Sequence, residues 1–180
     1  MELIWYIVIG VGLLALYIII SLIIGKLRSK VIDDEIQEIA KTNQFNYLKE
    51  KNKKYDYLLS NDSYDIYIRL ITIPSNSSVT INSKETWCLR WGGKRVGRGY
   101  PNMRYLDELG GFLKSNITSV DKETIRLVLL YPGCEVILKY LNESEIATVT
   151  PESINHGFKA FKYDELKNHF NDLFITKEKK

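Results

Sequence analysis

The longest uniform feature of the chain is an apolar run from Leu3 to Ile24, which contains no charged residue. As an α-helix that rises roughly 1.5 Å per residue, it would extend about 33 Å, enough to cross a hydrocarbon core of roughly 30 Å. Trp5 and Tyr6 lie near one end, where aromatic residues collect at a membrane surface. The pattern predicts a single transmembrane helix over residues 1–25, with a lipid bilayer as the partner of residues 3–24.

The residues that flank this run favour a retained anchor over a cleaved signal peptide. Glu2 is the only charged residue before the run, whereas a signal peptide begins with basic residues. Lys26, Arg28 and Lys30 follow the run, and no small-residue cleavage site separates them from it. Because basic residues collect on the cytoplasmic side of a membrane, we expect the rest of the chain to be cytoplasmic. A secretory lumen is the alternative indicated by Asn-x-Ser/Thr sequons, which begin at Asn61, Asn76, Asn116 and Asn142.

Helical spacing continues after the apolar run. Ile32, Ile36 and Ile39 recur at positions i, i+4 and i+7, and acidic residues occupy the other sides of the helix. We therefore predict a juxtamembrane helix over residues 26–53 that lays one apolar stripe on the core of the following domain.

A β-rich pattern begins after this helix. Two apolar runs, Tyr55 to Ser60 and Tyr64 to Ile73, flank an Asn-Asp-Ser turn and predict a hairpin. We predict an α+β soluble domain over residues 54–175, with a mixed β-sheet of about five strands and flanking helices, and a flexible tail over residues 176–180. The remaining predicted strands are 79–82, 86–91, 124–131 and 147–150; 135–141 is a strand or a short helix; and helices begin at Pro101 and span 163–174.

Charge adds one candidate binding segment. The whole chain has a net charge of +3, which permits contact with nucleic acid or anionic lipid without requiring it. A glycine-rich segment over residues 92–99 would let its backbone approach a polyanion closely, and aromatic residues on either side could stack on bases. A solvated hairpin tip is the alternative. The candidate cations are Lys94, Arg95, Arg98 and Arg104, and the candidate stacking residues are Trp91 and Tyr100.

The acidic residues provide a weaker candidate site. Asp56, Asp62 and Asp65 cluster around the first predicted hairpin, and carboxylate oxygens are the ligands that Mg²⁺ prefers. An aspartate in a turn is also an ordinary Asx cap. His156 and His169 lack a partner at catalytic or metal-ligand spacing, and Cys88 lies between apolar neighbours, as a buried thiol would.

From Tyr55 to about Leu141, the order of elements resembles the nuclease-related domain of the restriction-endonuclease-like fold. Members carry an early Asp on a strand, then Glu-x-Lys on the next strand, a Trp, a glycine turn, a Pro-led helix and an apolar strand. Asp56 resembles the early Asp, Trp87 the Trp and Pro101 the start of the helix. Residues 92–94 resemble the glycine turn, and 125–131 the apolar strand. The resemblance implies a metal bound by Asp and Glu, with Lys assisting the attacking water.

The chain departs from this pattern at the catalytic strand. The segment that should supply Glu-x-Lys reads Ile-Tyr-Ile-Arg-Leu over residues 66–70, and no Glu occurs between Glu50 and Glu85. Arg69 lies near the lysine position, but a guanidinium stays protonated and cannot act as a base. A lone Asp56 would hold a divalent cation poorly.

Three hypotheses of function follow. The first is a membrane-anchored, non-catalytic binding or scaffold domain, without a cofactor, that contacts a polyanion through the basic segment. The second is a Mg²⁺-dependent nuclease in which the second carboxylate has migrated, with Asp56, Arg69 and Glu85 as the candidate catalytic residues. The third is a structural membrane protein whose domain binds another protein.

Overall fold

A computed structural model describes residues 2–50, 54–91, 102–142 and 145–175 of the chain. It has an α+β architecture, as the sequence predicts, with one long apolar helix and two mixed β-sheets. The chain divides into two compact units, residues 1–43 and 44–180.

The first unit is a single helix, α1, over Glu2–Thr42. It is long and apolar enough, by length and composition, to span a membrane. Ile32, Ile36 and Ile39 are buried. The helix ends earlier than residue 53: the side-chain amide and backbone N–H of Asn43 both donate to the Ile39 carbonyl, and Gln44 adopts a left-handed φ of 61°. Such a residue is a common helix terminator, which explains why the predicted helix over residues 26–53 is too long.

The second unit contains ten strands in its described part, where about five were predicted. One five-stranded sheet has the order β1-β2-β3-β7-β10, and the other has the order β6-β5-β4-β8-β9. The predicted hairpin is confirmed, since β2 pairs antiparallel with β3. The strands are β1 (Asn46–Lys49), β2 (Tyr57–Ser60), β3 (Tyr64–Thr72), β4 (Ser77–Ile81), β5 (Trp87–Trp91), β6 (Met103–Tyr105), β7 (Glu123–Tyr131), β8 (Val136–Tyr140), β9 (Ile146–Thr148) and β10 (Lys159–Lys162).

Two parallel strand pairs connect the sheets. β3 and β7 pair in the first sheet, and their continuations β4 and β8 pair in the second. The chain passes from the first sheet to the second at Pro74, between β3 and β4, and at Pro132, between β7 and β8. Proline has no backbone N–H to donate to a β-ladder, so each strand pairing ends there. A backbone hydrogen bond of 2.8 Å from Ile73 N to Tyr131 O continues the ladder into this corner. The sequence patterns predict the strands. They do not predict that β3 and β4, or β7 and β8, would lie in different sheets.

A buried apolar cluster contains residues from both sheets. Val128 and Leu130 of β7 belong to it together with Val79 and Leu89 of the second sheet. A short 3₁₀ turn, Asp107–Leu109, and helix α2, Gly110–Leu113, add Leu109, Phe112 and Leu113. The predicted helix start at Pro101 lies outside the described residues. The helical turn begins only at Asp107, because β6 intervenes and pairs with β5.

The C-terminal segment packs on the first sheet through residues spaced as the sequence predicts. Leu166, Phe170 and Leu173 are buried at i, i+4 and i+7. Regular α-helix is limited to α3, Leu166–His169, between the 3₁₀ turns Tyr163–Glu165 and Phe170–Phe174. Phe45, which precedes β1, contacts Phe170 edge-on with ring centroids 5.6 Å apart. β10 was not predicted; it is a parallel edge strand next to β7.

Candidate functional site

The structure brings two of the predicted catalytic residues together. Asp56 lies immediately before β2, and Arg69 lies on the neighbouring strand β3. Arg69 Nη1 is 3.3 Å from Asp56 Oδ1, and the Leu70 backbone N–H donates to Asp56 Oδ2 at 2.9 Å. Both carboxylate oxygens therefore accept hydrogen bonds from the protein. Arg69 also donates through Nη2 to the Glu108 carbonyl at 3.1 Å, so the pair links β3 to the turn before α2.

The third predicted catalytic residue has a different partner. Glu85 lies in the turn between β4 and β5, and its Oε2 is 3.9 Å from Lys114 Nζ. Both side chains are more than half exposed, and such surface pairs contribute little to stability. Glu85 thus forms a surface ion pair in a turn, whereas Asp56 and Arg69 are largely buried.

The aspartates of the predicted acidic cluster also lie in different environments. Asp62 is exposed in the turn between β2 and β3, whereas Asp65 is buried on β3. Asp65 Oδ1 accepts a 2.6 Å hydrogen bond from Ser60 Oγ, and Lys122 Nζ lies 3.6 Å from the same oxygen. Burial by itself would raise the pKa of Asp65, but hydrogen bonds from Ser60 and Ser119 and the charge of Lys122 hold it below its usual value. No three His, Cys, Asp or Glu side chains within the described ranges are grouped as metal ligands would be.

The structure describes residues on either side of the basic segment, but not residues 92–99 themselves. Lys94, Arg95, Arg98 and Tyr100 lie outside the described residues. Trp91 ends β5, is half-buried and packs against the apolar cluster. Arg104 on β6 makes a bidentate pair with Glu108, at 3.0 and 2.8 Å. The hydrogen bond from Glu108 raises the pKa of Arg104, and Arg104 in turn lowers the pKa of Glu108. Arg104 is therefore already neutralised, which makes it a poorer polyanion ligand than the sequence suggests.

His169 and both cysteines occupy structural positions, whereas His156 is exposed in the turn before β10. His169 Nδ1 lies 2.7 Å from Asp172 Oδ2. Cys88 and Cys134 are free thiols and both are buried. Burial raises the pKa of Cys88, and it raises the pKa of Cys134 to about 11. Both sulfurs therefore stay protonated near neutral pH, so neither is an activated nucleophile.

Sequence reasoning missed one group of polar residues. Arg126 lies on β7 and Lys159 on β10, and both line a cleft at the amino ends of these strands. A signal was present in each case, since Arg126 interrupts the apolar run of residues 124–131, and Lys159 lies between Phe158 and Ala160. A cation within an otherwise apolar strand is a position that needs a specific partner.

Comparison with known proteins gives no assignment: no family model, no curated protein and no solved structure matches the chain.

Proposed function

We propose that the chain is a single-pass membrane protein that holds a non-catalytic α+β binding domain at the cytoplasmic face. The observation that carries the proposal is the exposed apolar surface of α1. A stretch of 18 residues within Ile9–Thr42 is apolar enough to span a membrane, and none of it is buried. Leu13 and Tyr17, for example, are 63% and 70% exposed. Apolar surface left in water costs about 25 cal/mol per Å², whereas lipid would cover it.

The orientation of the domain rests on charge. Lys26, Arg28 and Lys30 follow the apolar part of α1 within two helical turns, and basic residues next to a span favour the cytoplasmic side. The buried free thiols of the domain are compatible with a reducing compartment.

A non-catalytic role is supported by the pair formed by Asp56 and Arg69. In the nuclease-related domain that the chain resembles, these two positions carry the metal-binding Asp and the Lys. If Arg69 takes the lysine position, the spacing of Glu-x-Lys gives the glutamate position to Tyr67. The Tyr67 ring packs edge-on against Tyr55, with centroids 5.1 Å apart. An aromatic contact and an ion pair thus occupy the positions where a metal and an attacking water would be held.

A polyanion is the ligand we propose for the basic segment over residues 92–99. Its cations Lys94, Arg95 and Arg98 come shortly after β5 in the sequence, and the next described strand, β6, pairs antiparallel with β5. Contacts with phosphates by such side chains are independent of base sequence and weaken as salt rises.

The experiment uses the full chain, first in membranes and then in phosphatidylcholine nanodiscs. We expect the chain to stay in the membrane pellet at alkaline pH and to require detergent for release; recovery in the soluble fraction would overturn the anchor. In nanodiscs, we expect the chain to bind DNA, with an affinity that decreases as salt rises. Replacing Arg95 and Arg98 with Ala should make the negative slope of log K against log salt shallower by about 2.

A matched control separates the basic segment from general charge. Lys84→Ala together with Lys114→Ala removes two positive charges from exposed positions elsewhere. If this control weakens DNA binding as much as the segment variant does, or if DNA does not bind at all, the polyanion proposal is wrong, and a protein ligand becomes the better hypothesis. DNA cleavage that requires Mg²⁺ and is lost in Asp56→Ala would instead establish the nuclease alternative.

A further inference from the structure

A cleft of about 180 Å³ opens where β7 and β10 begin. One side is apolar and is formed by Ile154, Phe158, Leu173 and Ile175. Among the described residues, the charged side chains at its wall are Arg126, Lys159 and the exposed Glu123. The cleft therefore combines an apolar surface with an excess of one positive charge.

Arg126 is held by a hydrogen bond and a ring contact, and no acidic side chain among the described residues pairs with it. Its Nη1 donates to the Ser115 carbonyl at 3.0 Å, and its guanidinium lies 4.1 Å from the centre of the Phe158 ring. Burial lowers the pKa of Arg126, and no carboxylate in the described part of the chain offsets this effect. A guanidinium stays charged despite this decrease. The cleft therefore presents a partly desolvated cation that is already positioned before a ligand binds.

Glycine keeps one side of this cation uncovered. Gly157 has a φ of 81°, and a Cβ at this position would lie 3.2 Å from Arg126 Nη2. Any other residue would be strained by this backbone conformation and would also place a side chain against the guanidinium. Position 157 thus places no side chain against Nη2, and both Gly157 and Arg126 line the cleft.

Lys159 adds positive charge but offers no donor to a ligand. Its ammonium lies 2.9 to 3.4 Å from the carbonyl oxygens of Pro151, Glu152, Asp172 and Ile175. Three such bonds saturate an ammonium group. Direct recognition of an anion therefore falls to Arg126.

We propose that this cleft binds a small organic anion, whose carboxylate or phosphate accepts a hydrogen bond from Arg126 Nη2 while its short apolar body packs against Ile154 and Leu173. The proposal uses none of residues 92–99 and does not depend on the function proposed for that segment. The combination of a guanidinium stacked on an aromatic ring with apolar walls suits an amphipathic anion better than a fully hydrated one.

The test compares matched ligands on the full chain in phosphatidylcholine nanodiscs, with calorimetry and ligand-detected NMR as readouts. We expect saturable binding of hexanoate or hexyl phosphate and at least tenfold weaker binding of hexanamide, which has the same shape as hexanoate without the charge. This comparison needs no variant and therefore does not depend on folding. Equal binding of hexanoate and hexanamide, or no saturable binding of any of the three, would overturn the proposal.

Two variants locate the site. Arg126→Gln should weaken hexanoate binding at least tenfold, and Arg126→Lys should restore part of it. Lys84→Gln removes the same charge from an exposed residue in the turn before β5 and should leave binding unchanged. If Lys84→Gln and Arg126→Gln weaken binding equally, the effect is one of net charge and the site is refuted.

Two further arms identify the source of the anion. If a lipid headgroup supplies the phosphate, phosphatidylglycerol in the nanodiscs will compete with hexyl phosphate in the wild type but not in Arg126→Gln; without competition, a soluble anion is the ligand. The chain continues past Ile175 with residues 176–180. If hexanoate binds only after these residues are deleted, the tail of the chain itself is the occupant, and a small-molecule site is excluded.

Discussion

At the scale of single residues, Asp65 illustrates how burial fixes the role of a carboxylate. The sequence offered it as a metal ligand, yet its Oδ1 atom already accepts a hydrogen bond from Ser60 and lies near the ammonium of Lys122. Lys122 also donates to Ser60 Oγ at 2.8 Å, so the three side chains form one closed network between β2, β3 and the start of β7. A buried carboxylate is stable only when it is bonded in this way.

This network predicts a specific dependence of stability on pH. Because the folded chain holds the pKa of Asp65 below the unfolded value, the unfolded state binds more protons, and stability falls as pH drops below about 4. We expect Asp65→Asn to lower the free energy of unfolding at pH 7 by on the order of 1 kcal/mol and to flatten its decline between pH 4 and pH 2. Urea unfolding followed by tryptophan fluorescence measures both effects.

Asp62→Asn is the matched control, since Asp62 is exposed in the adjacent turn and its replacement removes the same charge. An equal loss of stability in Asp62→Asn would show that net charge, rather than the network around Asp65, sets the acid stability.

At the scale of elements, the buried ammonium of Lys159 fastens the C-terminal turns to β10. Lys159 is 4% exposed, and its acceptors belong to two separate segments, residues 151–152 and 172–175. Replacing it with Met would keep most of the apolar stem but remove the ammonium donor. The Asp172 carbonyl would keep its 3.3 Å hydrogen bond from the Ile175 backbone N–H, whereas the carbonyls of Pro151, Glu152 and Ile175 would lose the donor that Lys159 supplies. Each buried acceptor left without a partner costs about 1 to 3 kcal/mol.

We therefore expect Lys159→Met to destabilise the domain by about 3 kcal/mol or more and to increase hydrogen exchange first in the 3₁₀ turn Phe170–Phe174. Lys162→Met makes the same chemical change on the same strand, where Lys162 pairs with Glu165 in a partly exposed contact. The control should cost less than about 1 kcal/mol. Similar losses in both variants would mean that the four carbonyl contacts add nothing beyond ordinary strand packing.

The elements that could be predicted are those whose signal lies within one segment. The apolar run of α1 and the run of residues 124–131 are long enough to define a helix and a buried strand on their own. β6 and β10 have three and four residues, and they exist because β5 and β7 offer them hydrogen bonds. Such pairing joins distant parts of the chain and is not encoded in local periodicity.

The candidate sites follow the same division. The sequence identified Asp56 and Arg69 as candidate site residues. It did not predict that the pairing of β2 with β3 would bring them into an ion pair, or that both oxygens of the Asp56 carboxylate would accept hydrogen bonds. The cleft around Arg126 depends on contacts with Ser115 and Phe158, which are eleven and thirty-two positions away in the sequence. No local sequence motif could therefore predict it.

At the scale of the whole molecule, the proposed orientation depends on three residues. Lys26, Arg28 and Lys30 are the basic residues nearest the apolar part of α1. Basic residues close to a span determine which side of the membrane a flanking domain occupies, whereas distant ones have little influence. Replacing all three with Glu should therefore change the topology of the chain while leaving its apolar run intact.

We expect the triple variant to lose uniform orientation, so that a large fraction of molecules expose residues 44–180 on the opposite side of the membrane. Protease protection of sealed inverted vesicles measures this: the domain of the wild type should be digested, and that of the misoriented fraction should be protected. The matched control replaces Lys177, Lys179 and Lys180 with Glu, an equal change of charge far from the span. Because only charges near the span act on insertion, the control should retain the wild-type pattern. Full protection of the wild-type domain, by contrast, would place it on the far side of the membrane, where the sequons at Asn61 and Asn76 would acquire significance.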